Sequence, residues 1–125
     1  MRVLLVDDEK ELVDALAERL SLRGIHADWA TTCKDALNKL DTQKYDVALL
    51  DVKMPKLSGI ELKKEMEKKA PDMKFIFLTG HGSEADFRAG SAEAGAEYYL
   101  VKPVGIDTLV AKMREVVREG GGRRA

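Results

Sequence analysis

The chain carries one cysteine, Cys33, so it can close no internal disulfide and offers no paired-cysteine metal site. Its apolar runs are too short to cross a bilayer, and no signal peptide precedes "MRVLLVDD", so we expect a cytoplasmic chain with no membrane association. Neither sign of charge is in excess. The 22 acids and 21 bases leave a net charge of −1, which gives no electrostatic reason to bind nucleic acid or anionic lipid. Repeats and low-complexity segments are absent, and no GxxxxGK[ST] or GxGxxG phosphate loop follows a strand; the "GHG" at 80–82 falls short of one.

What the chain does have is 125 residues, 45% of them hydrophobic, enough for one domain that buries roughly two thirds of its unfolded surface. Short apolar runs at 2–6, 25–30, 46–50, 74–78 and 97–101 alternate with longer amphipathic ones. The runs "RVLLV", "DVALL" and "KFIFL" are nearly unbroken hydrophobics, as expected of parallel strands covered on both faces. "IHADWA" instead alternates, with Ile25, Ala27 and Trp29 on one side and His26 and Asp28 on the other, which suits an edge strand. Helices are expected where Leu12, Leu16 and Leu20 recur, around Ala36, Leu37 and Leu40, and from Ser58, whose spacing to Glu61 forms a capping box above Leu62 and Met66. A last helix carries Leu109, Met113, Val116 and Val117, and the glycines at 120–122 are expected to end it. Five β-then-α units predict a single α/β domain: an open, flavodoxin-like parallel sheet in strand order 2-1-3-4-5, with helices on both faces. Residues 1–119 form this domain; 120–125, "GGGRRA", read equally as a frayed end or the start of a linker.

Such a sheet gathers the carboxyl ends of its strands along one rim. There stand Asp7 and Asp8 after the first strand, Asp51 after the third, Thr79 after the fourth and Lys102 after the fifth. Each residue alone has an ordinary explanation. Acids after a strand favour the next helix's N-terminus, Asp51 heads a turn-like loop, and a lysine before Pro103 suits a solvated surface. A helix-dipole account predicts acids but not the added Thr and Lys. Crowded carboxylates repel unless a cation answers them, and an oxygen-only donor set with open positions suits Mg²⁺ and its phosphate partners. A phosphoryl group there would meet a carboxylate able to attack it, an ammonium and a hydroxyl.

Through "LLVDDE", "ALLDVKMPKLSGIEL", "FIFLTGHGS" and "GAEYYLVKPV" the chain resembles the receiver domains of two-component response regulators over nearly its whole length. The resemblance implies that Asp51 accepts a phosphoryl group from a sensor histidine kinase or a histidine phosphotransfer protein. It implies Mg²⁺ held by Asp8 and Asp51, by Asp7 through water, and by the backbone carbonyl of Lys53. Thr79 would close on the phosphoryl oxygens and Lys102 would pair with their charge. Tyr99 occupies the family's aromatic switch position, and the Lys102–Pro103 bond would be cis. Such a domain catalyses its own aspartyl phosphorylation and dephosphorylation but is not an enzyme in the ordinary sense.

The chain also has features of its own. "SEADFRAGSAEAGAEYY" reads as a marginal fourth helix, with Gly90 in mid-pattern and Phe87 its one large apolar residue; a switch segment and an ordinary alanine-rich surface helix are equally good readings. Lys53 and His81, each two residues past a site residue, are candidates for tuning the phosphoryl lifetime, although two solvated side chains would look the same. Tyr98 stands where many relatives have an acid. A phosphorylation-dependent homodimer would use the surface of helix 4, strand 5 and helix 5 around Phe87 and Tyr99. An output domain or partner protein is implied, but nothing in the sequence names it. Two alternatives remain. A hydrolase working through an aspartyl phosphate would want a second acid where Lys53 stands, and a receiver-like interaction module that is never phosphorylated usually lacks one of the acids, the Thr or the Lys.

Overall fold

The computed structural model describes residues 1–52, 58–80, 98–102 and 104–124. In chain order these form β1 (Arg2–Val6), α1 (Lys10–Ser21), β2 (His26–Ala30), α2 (Cys33–Thr42), β3 (Val47–Leu50), α3 (Gly59–Lys69), β4 (Lys74–Thr79), β5 (Tyr99–Val101) and α4 (Ile106–Arg124). The five strands are parallel, in the order β2-β1-β3-β4-β5. The expected fourth helix, around Phe87 and Gly90, lies outside the described residues.

Period-two alternation divides the strands between two cores. Leu4, Val6, Ala48, Leu50, Phe75 and Phe77 face one side, where Ala36 of α2 and Leu62 and Met66 of α3 cover them. Val3, Leu5, Val47, Leu49, Ile76 and Leu78 face the other, under Val13 and Leu20 of α1 and Leu109, Met113 and Val116 of α4. Both sides of the three central strands are therefore dry, which is why their sequences show no polar face.

Helix starts follow their capping chemistry. Thr32 Oγ1 accepts from the Asp35 amide at 3.1 Å to open α2, and Ser58 Oγ accepts from the Glu61 amide at 3.2 Å to open α3. α1 leaves the helical path at Gly24, whose φ of 76° a side chain would resist. Two details differ from the sequence reading. In α1 the fully buried positions are Val13 and Leu20, while Leu12 and Leu16 are only half-buried, because the helix face is turned toward the sheet by one position at its start. α4 runs to Arg124, through the glycines that were expected to end it. Glycine weakens a helix by entropy but stops one only where it turns left-handed, and Gly24 is the one positive-φ glycine among the described residues.

Lys63 of α3 is buried beside the hydrophobic Leu62. Its ammonium reaches Glu67 at 2.8 Å and lies 5.2 Å above the Phe75 ring centroid, so the aliphatic stem packs while the charge finds partners. Cys33, first residue of α2, packs half-buried against the α2–α3 core, and burial raises its thiol pKa more than a backbone hydrogen bond lowers it.

At the amino-terminal edge, polar groups tie β2, β1 and the start of β3 together. The Arg2 amide donates to Asp46 at 2.7 Å, the Arg2 guanidinium lies 5.9 Å from the Tyr45 ring centroid, and the Tyr45 hydroxyl donates to Asp28 at 2.6 Å. Burial, then the hydrogen bond and charge of Asp28, push the Tyr45 phenol well above its ordinary range against the opposing pull of Arg2. A folded pKa above the unfolded one stabilises the fold at and below the ordinary phenol range of about 10, and the stabilisation is lost as pH rises through the folded value. In an ultraviolet absorbance titration, Tyr45→Phe should therefore remove a phenolate signal that emerges later than that of a free tyrosine. Loss of a signal in the ordinary range instead would contradict the Asp28 contact.

Candidate functional site

Asp7 and Asp51 are each the first residue beyond a central strand, and each continues that strand's ladder by one bond. The Asp7 amide donates to the Ala30 carbonyl at 3.2 Å, and the Asp51 amide donates to Val6 at 2.9 Å. Two neighbouring strands thus deliver two carboxylates to the same point of the rim. Both are buried, Asp7 to 5% and Asp51 to 7% exposure, whereas Asp8 is exposed. One oxygen from each of Asp7, Asp8 and Asp51 lies within 4.8 Å of the others, a group that could hold a metal ion.

Asp7 is fixed at both oxygens. Oδ1 accepts from the Glu9 amide at 2.9 Å, which ties it to the start of α1, and Oδ2 accepts from Lys102 Nζ at 2.6 Å. Glu9 Oε1 stands 3.5 Å from the same ammonium. Burial alone would lower the Lys102 pKa, but the hydrogen bond it donates to Asp7 and the charges of Asp7, Asp51 and Glu9 outweigh it and raise the pKa. Among the described residues, Lys102 is thus a cation that answers the buried acids within the protein itself. Its stem passes Gly80, where an added Cβ would sit 3.7 Å from Lys102 Cδ. Thr79 ends β4, paired in register with Val101 of β5, next to the position from which Lys102 departs. Tyr99 is buried on the opposite side of β5 from Leu100, its ring 6.2 Å from that of Phe77 at 59°. Tyr98 is buried in the α1–α4 core, so the residue standing in place of the acid faces inward.

The structure thus brings together Asp7, Asp8, Asp51 and Lys102, with Thr79 at an adjoining strand end. Lys53, His81 and Pro103 lie outside the described residues, as does Phe87. Two contributors carried no role in the sequence reading. Glu9 enters the sequence only as the last letter of "LLVDDE", and its contact with Lys102 joins residues far apart in the chain. Gly59, within "KLSGIEL", is the other. Its amide donates to the Val52 carbonyl at 2.8 Å, and a Cβ there would collide with the Asp51 carbonyl oxygen and lie 2.9 Å from the Asp51 carbonyl carbon.

A family model described as the response regulator receiver domain matches residues 3–114. The chain belongs to that family. It is the receiver domain of a two-component response regulator. The response regulator MprA of Mycolicibacterium vanbaalenii is 32% identical over 130 residues, covering 100% of this chain and 56% of that protein. MprA of Mycobacterium avium is 33% identical over 118 residues, covering 94% and 51%. The chain therefore spans about half the length of these curated relatives. Among solved structures, a CheY-like receiver domain protein from Methanospirillum hungatei superposes with a TM-score of 0.87 at 33% identity, covering 98% of this chain and 97% of that one. A Burkholderia pseudomallei response regulator, solved with a phosphorylated aspartic acid, a calcium ion and citrate, gives a TM-score of 0.81 at 26% identity over 99% of this chain and 72% of that one. No helix among the described residues is long and apolar enough to cross a membrane.

The Gly59 contact makes a prediction about this receiver. The atoms an added methyl would strike are backbone, so they cannot rotate aside. Gly59→Ala should cost about 1–3 kcal/mol in denaturant unfolding, typical of overpacking, and should displace the residues that hold Asp51. A variant as stable as the parent would show that the α3 start is free to back away.

Proposed function

We propose that this receiver takes a phosphoryl group onto Asp51 and relays it as a change of conformation. The observation that carries the reading is the convergence of three carboxylates with the Lys102 ammonium at the ends of β1, β3 and β5. The donor set fits Mg²⁺: it is made of carboxylate oxygens, with no sulfur or imidazole among the described residues of the cluster. Asp7, Asp8 and Asp51 would hold the ion together with the Lys53 backbone carbonyl. When bound, it would supply positive charge to the phosphoryl oxygens.

An Asp51 oxygen attacks phosphorus, the new O–P bond forms, and the P–N bond to the donor's phosphohistidine breaks; the released imidazole takes up a proton. Lys102 pairs with the charge on the phosphoryl oxygens, and the Thr79 hydroxyl hydrogen-bonds one of them. Tyr99 shares β5 with the residue before Lys102 in the rim, so a shift at one end of the strand reaches the aromatic at the other. The phosphorylated aspartate of the Burkholderia relative supports this chemistry by likeness. The receiver acts on itself and turns over no separate substrate.

The donor is a sensor histidine kinase or a histidine phosphotransfer protein. Since the chain spans about half of its MprA relatives, the proposal includes an output segment beyond α4. Phosphorylation-dependent pairing would use a surface that includes β5 and α4; the exposed Val101 of β5, at 55%, favours that face. Lys53 and His81 remain candidates for setting the phosphoryl lifetime.

Two measurements test the core of this reading. Intact-protein mass after incubation with acetyl phosphate should rise by one phosphoryl group only when both Mg²⁺ and Asp51 are present, and Asp51→Asn should gain none. A mass gain that persists in Asp51→Asn would place the acceptor elsewhere, and no gain in the parent would favour a binding module over a phosphoacceptor. Mg²⁺ at a hundredfold excess over its Kd should stabilise the parent by about 2.7 kcal/mol, seen as a higher Tm, and Asp8→Ala should abolish that gain. An unchanged melt of the parent in Mg²⁺ would count against the metal site.

A further inference from the structure

Resting on the reading of the Asp7, Asp8 and Asp51 cluster as a cation site, we propose that Glu9 is a positioning residue: it takes over the Lys102 ammonium when a divalent cation claims Asp7. Asp7 has both oxygens committed, Oδ1 to the Glu9 amide at 2.9 Å and Oδ2 to Lys102 at 2.6 Å. The first bond belongs to the start of α1. Only the second can be released without disturbing the helix. A dication beside Asp7 also repels the ammonium, so Lys102 must find another partner. Asp8 and Asp51 belong to the cluster that the cation itself would occupy. Glu9 is the acid outside that cluster whose carboxylate already stands within reach, at 3.5 Å.

Glu9 is suited to receive the charge because its side chain does nothing else among the described residues. It precedes α1 as the N-cap residue, yet makes no capping hydrogen bond with its side chain. The turn is instead held by its backbone, whose carbonyl accepts from Leu12 at 3.1 Å and Val13 at 3.2 Å. The carboxylate is two-thirds exposed and can follow the ammonium, whereas Asp7 is fixed in the rim. Lys102 thus has a buried resting partner and an exposed holding partner. The holding position keeps it beside the site until a phosphoryl group offers a stronger one.

The test is a double-mutant cycle on Mg²⁺ affinity, measured by titration calorimetry on the parent, Glu9→Gln, Lys102→Met and the double variant. Glu9→Gln keeps the backbone contacts that start α1, and a thermal melt of each variant verifies that it is folded. In the parent background, Glu9→Gln should weaken Mg²⁺ binding by about two- to fivefold, the size of a half-exposed ion pair. In the Lys102→Met background, with no ammonium to hold, the same change should have almost no effect. An equal loss in both backgrounds would make Glu9 a bystander charge and overturn the proposal, as would no loss in either. Absence of Mg²⁺ binding by the parent would instead overturn the proposed metal site, and this inference with it.

Discussion

Two carboxylates buried side by side at the edge of a sheet repel each other and have lost most of the water that would screen them. Everything about the rim of this receiver follows from how that repulsion is met. Parallel ladders force the crowding, since Asp7 and Asp51 each continue the hydrogen bonding of an adjacent strand. The answering charge comes from Lys102, drawn across the rim from the end of β5. The first strand and the last are thereby joined by one ion pair between residues 95 apart in the chain. The cost of burying the acids is offset by a contact that also fixes the edge of the sheet.

The same rim ties stability to responsiveness. Asp7 holds the start of α1 with one oxygen and Lys102 with the other, so whatever rearranges its charge is felt both by a helix on one face and by a strand at the edge. Tyr99 lies on that strand, packed against Phe77 within the opposite core. A single side chain therefore touches the boundary between the two hydrophobic layers. The rim is thus joined to both layers by groups that are packed rather than loose.

Much of this was legible in the sequence because parallel strands announce themselves. Residues 3–6, 47–50 and 75–78 read as unbroken apolar runs because both faces are covered, and the polar residue directly after each, Asp7, Asp51 and Thr79, marks the strand's carboxyl end. Once the strand order is known, Asp7, Asp51 and Lys102 must share a rim. The phase of α1 was less legible. Leu12 and Val13 are both apolar, and periodicity alone does not decide which of two adjacent apolar residues turns fully inward. The glycines late in α4 misled for a related reason, since composition reports a tendency to stop and the backbone decides. The Gly59 contact and the Lys102–Glu9 pair were invisible because they depend on how closely α3 approaches Asp51 and on the direction of a long side chain.

The two ends of the sheet have a consequence of another kind. A parallel sheet left open presents unpaired amides and carbonyls on its outermost strands, an invitation for another chain to add a strand. Among the described residues β5 offers three for such growth, and β2 carries His26 and Asp28, with Asp28 already bound by Tyr45. Short length protects one margin and charge protects the other. Growth through bare backbone is thereby disfavoured at both margins, and encounters are left to surfaces formed by side chains.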